Sequence, residues 1–456
     1  MRATARRARA GRAPATSAAL AGLFAVFFAS GCEPSECDPR PVLLYAADNQ
    51  GVLAACGCPS NPTGGLAKRQ GLVEQYRASR RHVLVIDAGN VMPDHANLIK
   101  VKYLAKALAK GGCDAIALGE QEFLLGRGVL RDLQETHGLP LICANVRTDA
   151  GETVAPPHVI RTVEGRRVGI FAVIADGAWG FPVREWREGL TVEPPEAAAR
   201  RETKALADCD LVVALVHQSV EECEELARNV PGLDVVVAGR GYHPLRTPRR
   251  IGETLLVCPG PAGRVLGCLT FEPQDEGQGV RLVHDMTVLS ARIPEAPWVL
   301  DLYWKYVEES KEAPPPDWNE TPIPTRYEPS EACKECHEKE YAQWATTAHA
   351  QAYESIQNAG RHRDPECVLC HTMGLGRKGG FVSMKRTPGL GRVTCQGCHV
   401  VTSDHAEKGV KPEPRYAISS RLCMSCHGPV QSPEFDYFQY KPKILHTIDR
   451  ENRTGK

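Results

Sequence analysis

Short apolar runs alternate with amphipathic segments along residues 41–292. Continuous apolar runs are typical of buried strands, whereas apolar positions that recur every three or four residues are typical of helices. Strands that alternate with helices favour an α/β architecture. The predicted strands are 41–47, 82–87, 114–118, 167–174, 211–216 and 235–238, and the predicted helices are 65–80, 96–110, 122–136, 195–208 and 221–229.

The pattern changes after residue 250. Apolar segments at 254–257, 265–271 and 279–289 follow one another without a helix between them, which predicts a β meander. Apolar side chains at helical spacing predict a helix at 295–312, and the Pro-rich stretch that follows it predicts a semi-rigid spacer. The expected domains are an α/β domain at 41–292, a helix and linker at 293–326, and a second domain at 327–456.

The second domain repeats one five-residue pattern four times. Each copy reads Cys-x-x-Cys-His, the attachment signature of c-type haem. Two thiols at this spacing can each form a thioether to a vinyl group of the porphyrin, and the imidazole that follows then lies under the iron. The copies are Cys333-Lys-Glu-Cys336-His337, Cys367-Val-Leu-Cys370-His371, Cys395-Gln-Gly-Cys398-His399 and Cys423-Met-Ser-Cys426-His427.

Zinc sites and disulfide bonds are the alternatives for these cysteines, because paired Cys-x-x-Cys motifs with added histidine also bind structural zinc. A zinc site does not require a histidine directly after every second cysteine. Four complete copies between Cys333 and His427 therefore favour four covalently bound c-type haems. The low apolar content of this domain is then explained, since the haems themselves would form its core.

Histidine is concentrated in the same domain, where eight of the 15 histidines lie beyond residue 330. Four of them follow the attachment cysteines, and the other four equal the number needed to give every iron a second imidazole. Surface histidines, an open site on one haem, and axial ligation by Met373, Met384 or Met424 are the alternatives. The predicted distal ligands are His349, His405 and His446, with His362 as a further candidate.

The first 31 residues have the pattern of an export signal. Five arginines and no acid lie among the first twelve residues, and an apolar run at 18–29 follows. This arrangement predicts a secretory signal peptide, because the run is too short to span a bilayer as a helix. Ala29-Ser30-Gly31-Cys32 resembles a bacterial lipoprotein signal, although alanine stands where leucine is usual. We expect Cys32 to be lipidated and residues 32–40 to be a tether, with an unmodified secreted protein as the alternative.

The charge balance bears on the possible partners, and the positions of the cysteines bear on the state of their thiols. Lys+Arg and Asp+Glu both number 55, so no net field favours nucleic acid as a partner. Of the 18 cysteines, eight belong to the Cys-x-x-Cys-His copies, and most of the others lie in apolar segments. Buried inert thiols are expected there, although disulfide bonds in an oxidising compartment remain open.

Polar motifs interrupt or end several elements of the α/β region. They are Leu44-Tyr-Ala-Ala-Asp48-Asn-Gln50-Gly51, Gly64-Gly-Leu-Ala-Lys-Arg69, Asp87-Ala-Gly-Asn90, Gly119-Glu-Gln-Glu-Phe123, Leu215-Val-His217 and Gly239-Arg-Gly-Tyr-His243. In this order they resemble the motifs of the metallophosphoesterase domain of the periplasmic 5'-nucleotidase and UDP-sugar hydrolase family. The resemblance spans most of residues 41–273 and implies a β-sandwich flanked by helices.

The family binds two divalent metals that activate water for phosphate ester hydrolysis. Among the positions that the resemblance implies as ligands, Asp48 and His217 are retained. Amide side chains are weak metal ligands, glutamine cannot act as a general acid, and arginine repels a cation. We therefore expect a degenerate site without divalent metal, and a single metal on Asp48, Glu120 and His217 is the alternative. The replaced family positions carry Gln50, Asn90, Glu120, Gln121, Arg240 and Tyr242, with His243 one place off.

Ala55-Cys56-Gly57-Cys58-Pro59 follows the first of these motifs, in the loop that leaves the first strand. Ligands bind at this edge of α/β sheets. Two thiols so close in sequence can form a strained, readily reduced disulfide or hold a metal. Cys56 and Cys58 are therefore candidates for a redox pair or a metal site, and a structural disulfide, for instance to Cys37, or two inert loop thiols are the alternatives.

The second domain resembles the cytochrome c-554 family of multihaem proteins, which implies a mostly helical domain built around its haems. The sequence departs from the usual third motif of the family at Gln396 and Val400, and neither departure changes a ligand residue. The matching features are Cys333–His337 followed by Tyr341, Trp344 and Thr347-Ala-His349-Ala350, then Val393–His399 followed by His405, and finally Ser432-Pro-Glu-Phe435 to His446.

These patterns predict an exported multihaem c-type cytochrome that transfers electrons, preceded by a degenerate nucleotidase-like domain. Electron transfer or oxidoreductase chemistry is favoured over an active phosphoesterase. The alternatives are a metal-dependent phosphoesterase fused to a haem domain, and a binding subunit whose α/β domain docks a redox enzyme. The expected partners are a redox protein or a quinol or terminal reductase, and a lipid anchor would hold the chain on the periplasmic side of a bacterial membrane, at the outer membrane.

Overall fold

The computed structural model of the chain describes most of both predicted domains. The predicted signal peptide, Cys32 and the pair Cys56 and Cys58 lie outside the described residues. Within the part of the chain that is described, no helix is both long and apolar enough to cross a membrane. The described residues are 38–55, 63–80, 82–94, 97–175, 189–273, 280–310, 327–399, 405, 408–410, 419–428, 431–432 and 435–446.

The first domain alternates strands and helices as the apolar pattern predicts. Its strands are β1 (Val42–Ala46), β2 (Val83–Asp87), β3 (Ala115–Ala117), β4 (Leu141–Ile142), β5 (Val146–Thr148), β6 (His158–Val163), β7 (Arg166–Ile174), β8 (Leu190–Val192), β9 (Leu211–His217), β10 (Val235–Ala238), β11 (Arg249–Ile251), β12 (Thr254–Val257), β13 (Val265–Pro273) and β14 (Val280–Val288). Its helices are α1 (Leu66–Ser79), α2 (Leu98–Gly111), α3 (Glu120–Leu124), α4 (Arg127–Glu135), α5 (Pro195–Ala205), α6 (Val220–Asn229) and α7 (Pro297–Glu309).

The strands form two six-stranded sheets and a small two-stranded sheet of β5 and β8. The first sheet has the order β14-β13-β1-β2-β3-β4, and the second has the order β11-β12-β10-β9-β7-β6. Strands β1 to β4 run parallel in the first sheet, and β7, β9, β10 and β12 run parallel in the second. Antiparallel strands complete one edge of the first sheet and both edges of the second.

The two sheets pack face to face, and helices cover their outer faces. Leu43 and Tyr45 of β1 contribute to the apolar cluster between the sheets, whereas Val42 and Leu44 face α1. Both faces of β1 are therefore buried, which explains why this strand is apolar at successive positions. Helices α1, α2 and α7 cover the first sheet, and α5 and α6 cover the second. This arrangement confirms the predicted β-sandwich flanked by helices.

The predicted β meander at the end of the first domain is wrong. Strand β12 pairs parallel with β10 in the second sheet, whereas β13 and β14 form an antiparallel hairpin in the first. The chain changes sheets between β12 and β13, where Gly260, Ala262 and Gly263 adopt positive φ angles of 77°, 61° and 54°. Apolar runs report that a strand is buried but not which sheet it joins, so the pattern could not separate these strands.

Two further elements differ from the prediction. The single helix predicted at 122–136 is broken into α3 and α4 at Gly126, whose φ of 79° lies in the left-handed region. Helix α7 falls outside the predicted domain boundary at residue 292, yet Val299, Tyr303 and Tyr306 belong to the largest core cluster of the first domain. This helix is thus part of the α/β packing.

The second domain consists of short helices, as the resemblance implies. Its apolar core is small and is formed by Tyr327, Ile356, Val368, Phe381 and Leu390. Because this apolar core is so small, groups other than apolar side chains must contribute to the stability of the domain. Its described helices are α8 (Glu338–Ala345), α9 (Ala352–Asn358), α10 (Pro365–His371), α11 (Ser420–Met424) and α12 (Tyr437–Tyr440), with 3₁₀ turns at Ser330–Cys333, Pro388–Leu390, Cys395–Gly397 and Lys441–Lys443.

Candidate haem-binding region and degenerate metal site

Six of the histidines beyond residue 330 lie as three facing pairs. Each pair joins the histidine of a Cys-x-x-Cys-His copy with one of the predicted distal ligands. The histidines of a pair lie far apart in sequence, so the fold brings them together. The pairs are His337 with His405, at 6.1 Å between ring centroids, His349 with His427, at 6.1 Å, and His399 with His446, at 6.2 Å.

These separations fit one iron between the two rings of each pair. A bond from a first-row metal to an imidazole nitrogen is about 2 Å long, and the ring centroid lies roughly 1 Å behind that nitrogen, so two axial imidazoles have centroids about 6 Å apart. The residues present therefore fit haems with two histidine ligands at three of the four motifs. The assignment of His349, His405 and His446 as distal ligands stays a prediction of ligation.

Hydrogen bonds orient several histidine rings of the second domain. The Nδ1 atoms of His371, His405 and His446 lie 2.7, 2.8 and 2.7 Å from the oxygens of Ala352, Val410 and Gln343, the last through its side chain. An Nδ1–H that donates to an oxygen leaves Nε2 unprotonated and available to a metal. Acceptors of this kind are the usual partners of metal-bound histidines.

Burial supports the neutral form of three further rings. It lowers the pKa of His349, His399 and His427, and the charges of neighbouring histidines lower each of these pKa values further. Neutral imidazole is the form that binds a metal. His427 also stacks against Phe435, with ring centroids 4.5 Å apart.

The second copy, which ends in His371, differs from the other three. Among the described residues, no imidazole faces His371 in the way that the three pairs face each other. His362, the further candidate for a distal ligand, instead packs edge-on against Tyr353 at 6.4 Å between centroids. The structure thus does not bring His362 to the position of a second axial ligand.

Attachment cysteines of different copies lie close together. The thiol of Cys395 raises the pKa of Cys333, and the backbone N–H of Cys395 donates to Ser330 Oγ at 3.2 Å, so the first copy lies beside the third. The thiol of Cys426 likewise raises the pKa of Cys370, so the second copy lies beside the fourth. Because each thiol would carry the edge of a macrocycle, groups attached here would be close neighbours.

The residues of the predicted degenerate site also come together. Asp48 follows β1, Asn90 follows β2, Glu120 begins α3 after β3, and His217 ends β9. All four positions lie at the carboxyl ends of parallel strands, where α/β sheets bind ligands. Asp48 and Asn90 adopt positive φ angles of 52° and 55°, which are uncommon for residues other than glycine.

Amide groups occupy both oxygens of the Asp48 carboxylate. Gln50 Nε2 donates to Oδ2 at 2.8 Å, and Asn90 Nδ2 donates to Oδ1 at 3.2 Å. Asn90 is held by the backbone N–H of Gln121, which donates to its Oδ1 at 3.1 Å. Burial raises the pKa of Asp48, and these amide donors oppose the rise. Both carboxylate oxygens of Asp48 therefore face hydrogen-bond donors, whereas metal binding would require them to face a cation.

Glu120 and His217 form an ion pair. Glu120 Oε2 lies 2.5 Å from His217 Nε2, and Arg240 Nε lies 3.7 Å from the other carboxylate oxygen. Burial raises the pKa of Glu120, but the hydrogen bond to His217 and the charges of His217 and Arg240 outweigh it and lower the pKa to about 2. Burial lowers the pKa of His217, but Glu120 outweighs it and raises the pKa. A protonated imidazole cannot bind a metal.

The side chains expected for a single metal are thus satisfied by one another and by amides. Among the described residues, no group of three or more histidines, cysteines or acids could hold a metal ion. Asp48, Glu120 and His217 lie in the same part of the fold, but their arrangement does not fit a divalent cation. The loss of family ligands read from the sequence is consistent with this geometry.

Comparison with known proteins agrees with both resemblances. The chain is similar to 5'-nucleotidases in its first domain and to cytochrome c554 in its second. It is 30% identical over 267 residues to a snake venom 5'-nucleotidase of Crotalus adamanteus, covering 51% of this chain and 44% of that protein. A family model described as cytochrome c554 and c-prime matches residues 332–400. Cytochrome c-554 of Nitrosomonas europaea is 27% identical over 156 residues, covering 26% of this chain and 66% of that protein.

A solved structure supports the fold of the 5'-nucleotidase-like domain. The 5'-nucleotidase precursor of Thermus thermophilus superposes with a TM-score of 0.51 at 22% identity, covering 59% of each chain. A likeness at this level of identity shows the fold alone. The chain spans about half the length of the curated 5'-nucleotidases that it matches.

Glu122 supports the loops around the degenerate site, and the sequence motifs did not indicate this role. Its buried carboxylate accepts four backbone N–H groups, from Val91 and Met92 at Oε1 and from Asn90 and Gly119 at Oε2, at 2.7 to 3.0 Å. It thereby ties the loop after β2 to the start of α3. The Gly119-x-x-Glu122 spacing of a capping box is the sequence signal that could have identified it.

We expect Glu122→Gln to lower the free energy of unfolding by roughly 2 to 4 kcal/mol, because its new amide N–H₂ would face two backbone donors. Urea unfolding at pH 8, followed by circular dichroism, measures the change. Glu135→Gln is the matched control, since Glu135 is exposed at the end of α4. Equal stability of the two variants would show that Glu122 does not join the two loops.

Proposed function

We propose that this chain is an exported multihaem c-type cytochrome that carries four covalent haems and transfers electrons. The observation that carries the proposal is the set of three facing histidine pairs, each of which joins an attachment motif with a histidine from elsewhere in the domain. The match of residues 332–400 to the cytochrome c554 and c-prime model supports it.

The residues of the cytochrome domain have separate tasks in this proposal. The eight motif cysteines would attach the haems, and the motif histidines would bind the irons. His405, His349 and His446 would supply second ligands, and the oxygens that face Nδ1 of His371, His405 and His446 hold those rings in place. Bound haem supplies one-electron transfer at a potential set by axial ligands and burial.

Contacts between copies support a chain of closely spaced haems. Cys333 is close enough to Cys395, and Cys370 to Cys426, for each thiol to shift the pKa of its neighbour, so the copies form two adjacent pairs. Haems attached at these neighbouring thiols would lie close together, which would let electrons pass between them without a mobile carrier. A redox protein, or a quinol or terminal reductase, would supply or accept these electrons at the surface.

We expect the purified protein to contain four haems per chain, because all four motifs are complete. Expression with a cytochrome c maturation system, followed by a pyridine haemochrome assay and iron analysis, measures this number. Cys423→Ser combined with Cys426→Ser should remove one haem, whereas Cys143→Ser, at a buried cysteine of the first domain, should remove none. A protein without covalent haem would contradict the proposed function.

The 5'-nucleotidase-like domain is proposed to have lost hydrolysis. The amide donors on Asp48 and the Glu120–His217 ion pair support this, because both hydrogen-bond patterns compete with metal binding. The competing function is a phosphoesterase with altered metal ligands, favoured by the fold and by the retained Asp48 and His217. Metal-dependent turnover of nucleotides or p-nitrophenyl phosphate that is lost in Asp48→Ala would support that alternative.

Cys56 and Cys58 are proposed to exchange electrons with the cytochrome domain. Ala55, which precedes Cys56, is described, and its carbonyl accepts a hydrogen bond from Arg361 Nη2 at 3.4 Å. A contact with the cytochrome domain therefore lies one residue before the pair in the sequence. Thiol titration at controlled potential tests the idea, with Cys56→Ser as the variant. If Cys56 and Cys58 are neither oxidised nor reduced as the potential is changed, the proposed electron exchange is wrong.

Export and anchoring are proposed from the first residues of the chain. Covalent haem attachment takes place outside the bacterial cytoplasm, so a signal peptide ending before Cys32 agrees with the cytochrome proposal. Lipidation of Cys32 would hold the protein at the periplasmic side of a membrane, at the outer membrane. Membrane fractionation tests this, since Cys32→Ala should move the haem protein from the membrane fraction to the soluble periplasmic fraction.

A further inference from the structure

The segment that leads into the second attachment motif is packed against the first domain. Residues 361–366 come directly before Cys367, and their side chains contact α2 and α7. The contacts are Lys100 Nζ with both carboxylate oxygens of Glu366 at 2.7 and 2.8 Å, Tyr306 OH with Glu366 at 3.1 Å, Tyr303 OH with Asp364 at 2.5 Å, and the Arg361 guanidinium over the Tyr303 ring at 4.3 Å.

Two carboxylates lie at this contact between the domains, Glu366 and Asp364, and their environments differ. Glu366 has a cation of its own, because Lys100, which is 6% exposed, contacts both its oxygens. Asp364 is 5% exposed and accepts hydrogen bonds from Tyr303 OH and from the backbone N–H of Glu366. The nearby Arg361 stacks on Tyr303 instead. Asp364 is therefore a buried carboxylate without a directly bonded cation among the described residues.

The groups that face Asp364 come from three elements. Tyr303 belongs to α7, Lys100 belongs to α2, and Glu366 belongs to α10, with Arg361 just before that helix. Burial raises the pKa of Asp364, the negative charge of Glu366 raises it further, and Tyr303 and Lys100 oppose the rise. A proton is thus more easily bound here than on an exposed carboxylate.

Asp364 also lies close to an attachment site. It is the N-cap of α10, the helix that carries Cys367 and Cys370 and ends at His371. Cys367 lies three residues further along, which is about one turn or roughly 5 Å of helix. A ferric haem core carries one net positive charge, and reduction removes it. Loss of a nearby positive charge makes the ionised form of a buried carboxylate less favourable.

We propose that Asp364 binds a proton when the haem attached at Cys367 and Cys370 is reduced. This inference rests on the proposed function. One electron from an external reductant converts that haem from ferric to ferrous, and one proton from solvent forms an O–H bond on the Asp364 carboxylate. Oxidation reverses both changes, so charge balances in each direction. Since Tyr303 bonds to the same carboxylate, the first domain takes part in setting the potential of this haem.

The proposal predicts a pH-dependent midpoint potential. The potential of the haem falls as pH rises, by up to about 59 mV per pH unit in the range where proton uptake accompanies reduction, because tenfold in a one-electron equilibrium corresponds to 59 mV. Spectroelectrochemical titration of the full-length holoprotein from pH 5 to pH 9 measures this slope. In Asp364→Asn the slope of one of the haem potentials should be lost.

Two further variants sharpen the test. Asp301→Asn removes an exposed carboxylate of α7 that pairs with Lys305, and it should keep the wild-type slope. Tyr303→Phe removes the hydroxyl that stabilises the ionised carboxylate, so the range of pH dependence should move to higher pH. Tyr303→Phe also provides an independent readout if Asp364→Asn does not fold.

The outcomes separate this inference from the proposed function. A pyridine haemochrome assay on each sample comes first, and absence of covalent haem would overturn the proposed function. If the haems are present but the slope persists unchanged in Asp364→Asn, the proton belongs to another group, such as a haem propionate, and the inference fails. An unchanged pH range in Tyr303→Phe would overturn it as well.

Discussion

Replacement of His349 or His446 by alanine, one at a time, is expected to convert one low-spin haem to the high-spin state. Each of these rings faces a motif histidine at the separation that two axial ligands require. Removal of one ring leaves an iron with a single imidazole, which weakens its ligand field. Electron paramagnetic resonance of the oxidised holoprotein counts the high-spin haems, and each variant should show one more than the wild type.

His362→Ala is the matched control for these variants. Its ring contacts Tyr353 and faces no motif histidine among the described residues, so the number of high-spin haems should not change. We expect the wild type itself to show one high-spin haem, at His371. A low-spin signal for all four haems that becomes partly high-spin in His362→Ala would show that His362 binds the second iron after all.

The sequence predicted which histidines could be ligands but not how they pair. His349 lies between the first and second motifs along the chain, yet it faces His427 of the fourth. His405 follows the third motif, yet it faces His337 of the first. Pairing depends on how short helices pack around a small core, and neither spacing nor apolar periodicity carries that information. The motifs themselves were readable because covalent chemistry fixes their spacing.

The fold of the first domain was predictable where burial on both faces makes strands continuously apolar, as in β1 and β9. The edge strand β6 was missed because its side chains are mostly half-exposed. Sheet membership of β12 was predicted wrongly because it depends on long-range pairing with β10. The role of α7 was also missed, since its apolar face shows that it packs but not against which domain.

At the degenerate site as well, the sequence identified the residues but not the contacts between them. Comparison of motifs identified Gln50, Asn90 and Glu120 as replacements for family ligands. It could not show that Gln50 and Asn90 donate to Asp48, or that Glu120 pairs with His217. In these contacts, Gln50, Asn90 and Glu120 compensate for the absence of a cation, because they satisfy polar atoms of the retained Asp48 and His217.

Asn90→Asp should reverse that compensation. The substitution replaces an amide donor, 3.2 Å from Asp48 Oδ1, with a second carboxylate oxygen in a buried site. Two carboxylates at this distance repel, so we expect the free energy of unfolding at pH 8 to fall by roughly 2 to 4 kcal/mol. Repulsion raises the folded-state pKa of the pair, and stability that is present at low pH is therefore lost as pH rises. Urea unfolding at pH 5 and pH 8 measures both effects.

A divalent cation should restore part of this loss, because Mn²⁺ prefers carboxylate oxygens and would bind between the two acids. Unfolding of Asn90→Asp in MnCl₂ and in EDTA should differ, whereas wild-type unfolding should not. Gln75→Glu is the control, since it makes the same change from amide to acid at an exposed position of α1. If Asn90→Asp were as stable as the control at pH 8 in EDTA, the contact between Asn90 and Asp48 would not hold the site together. Lost stability that Mn²⁺ restores would show that this site is one substitution away from binding metal.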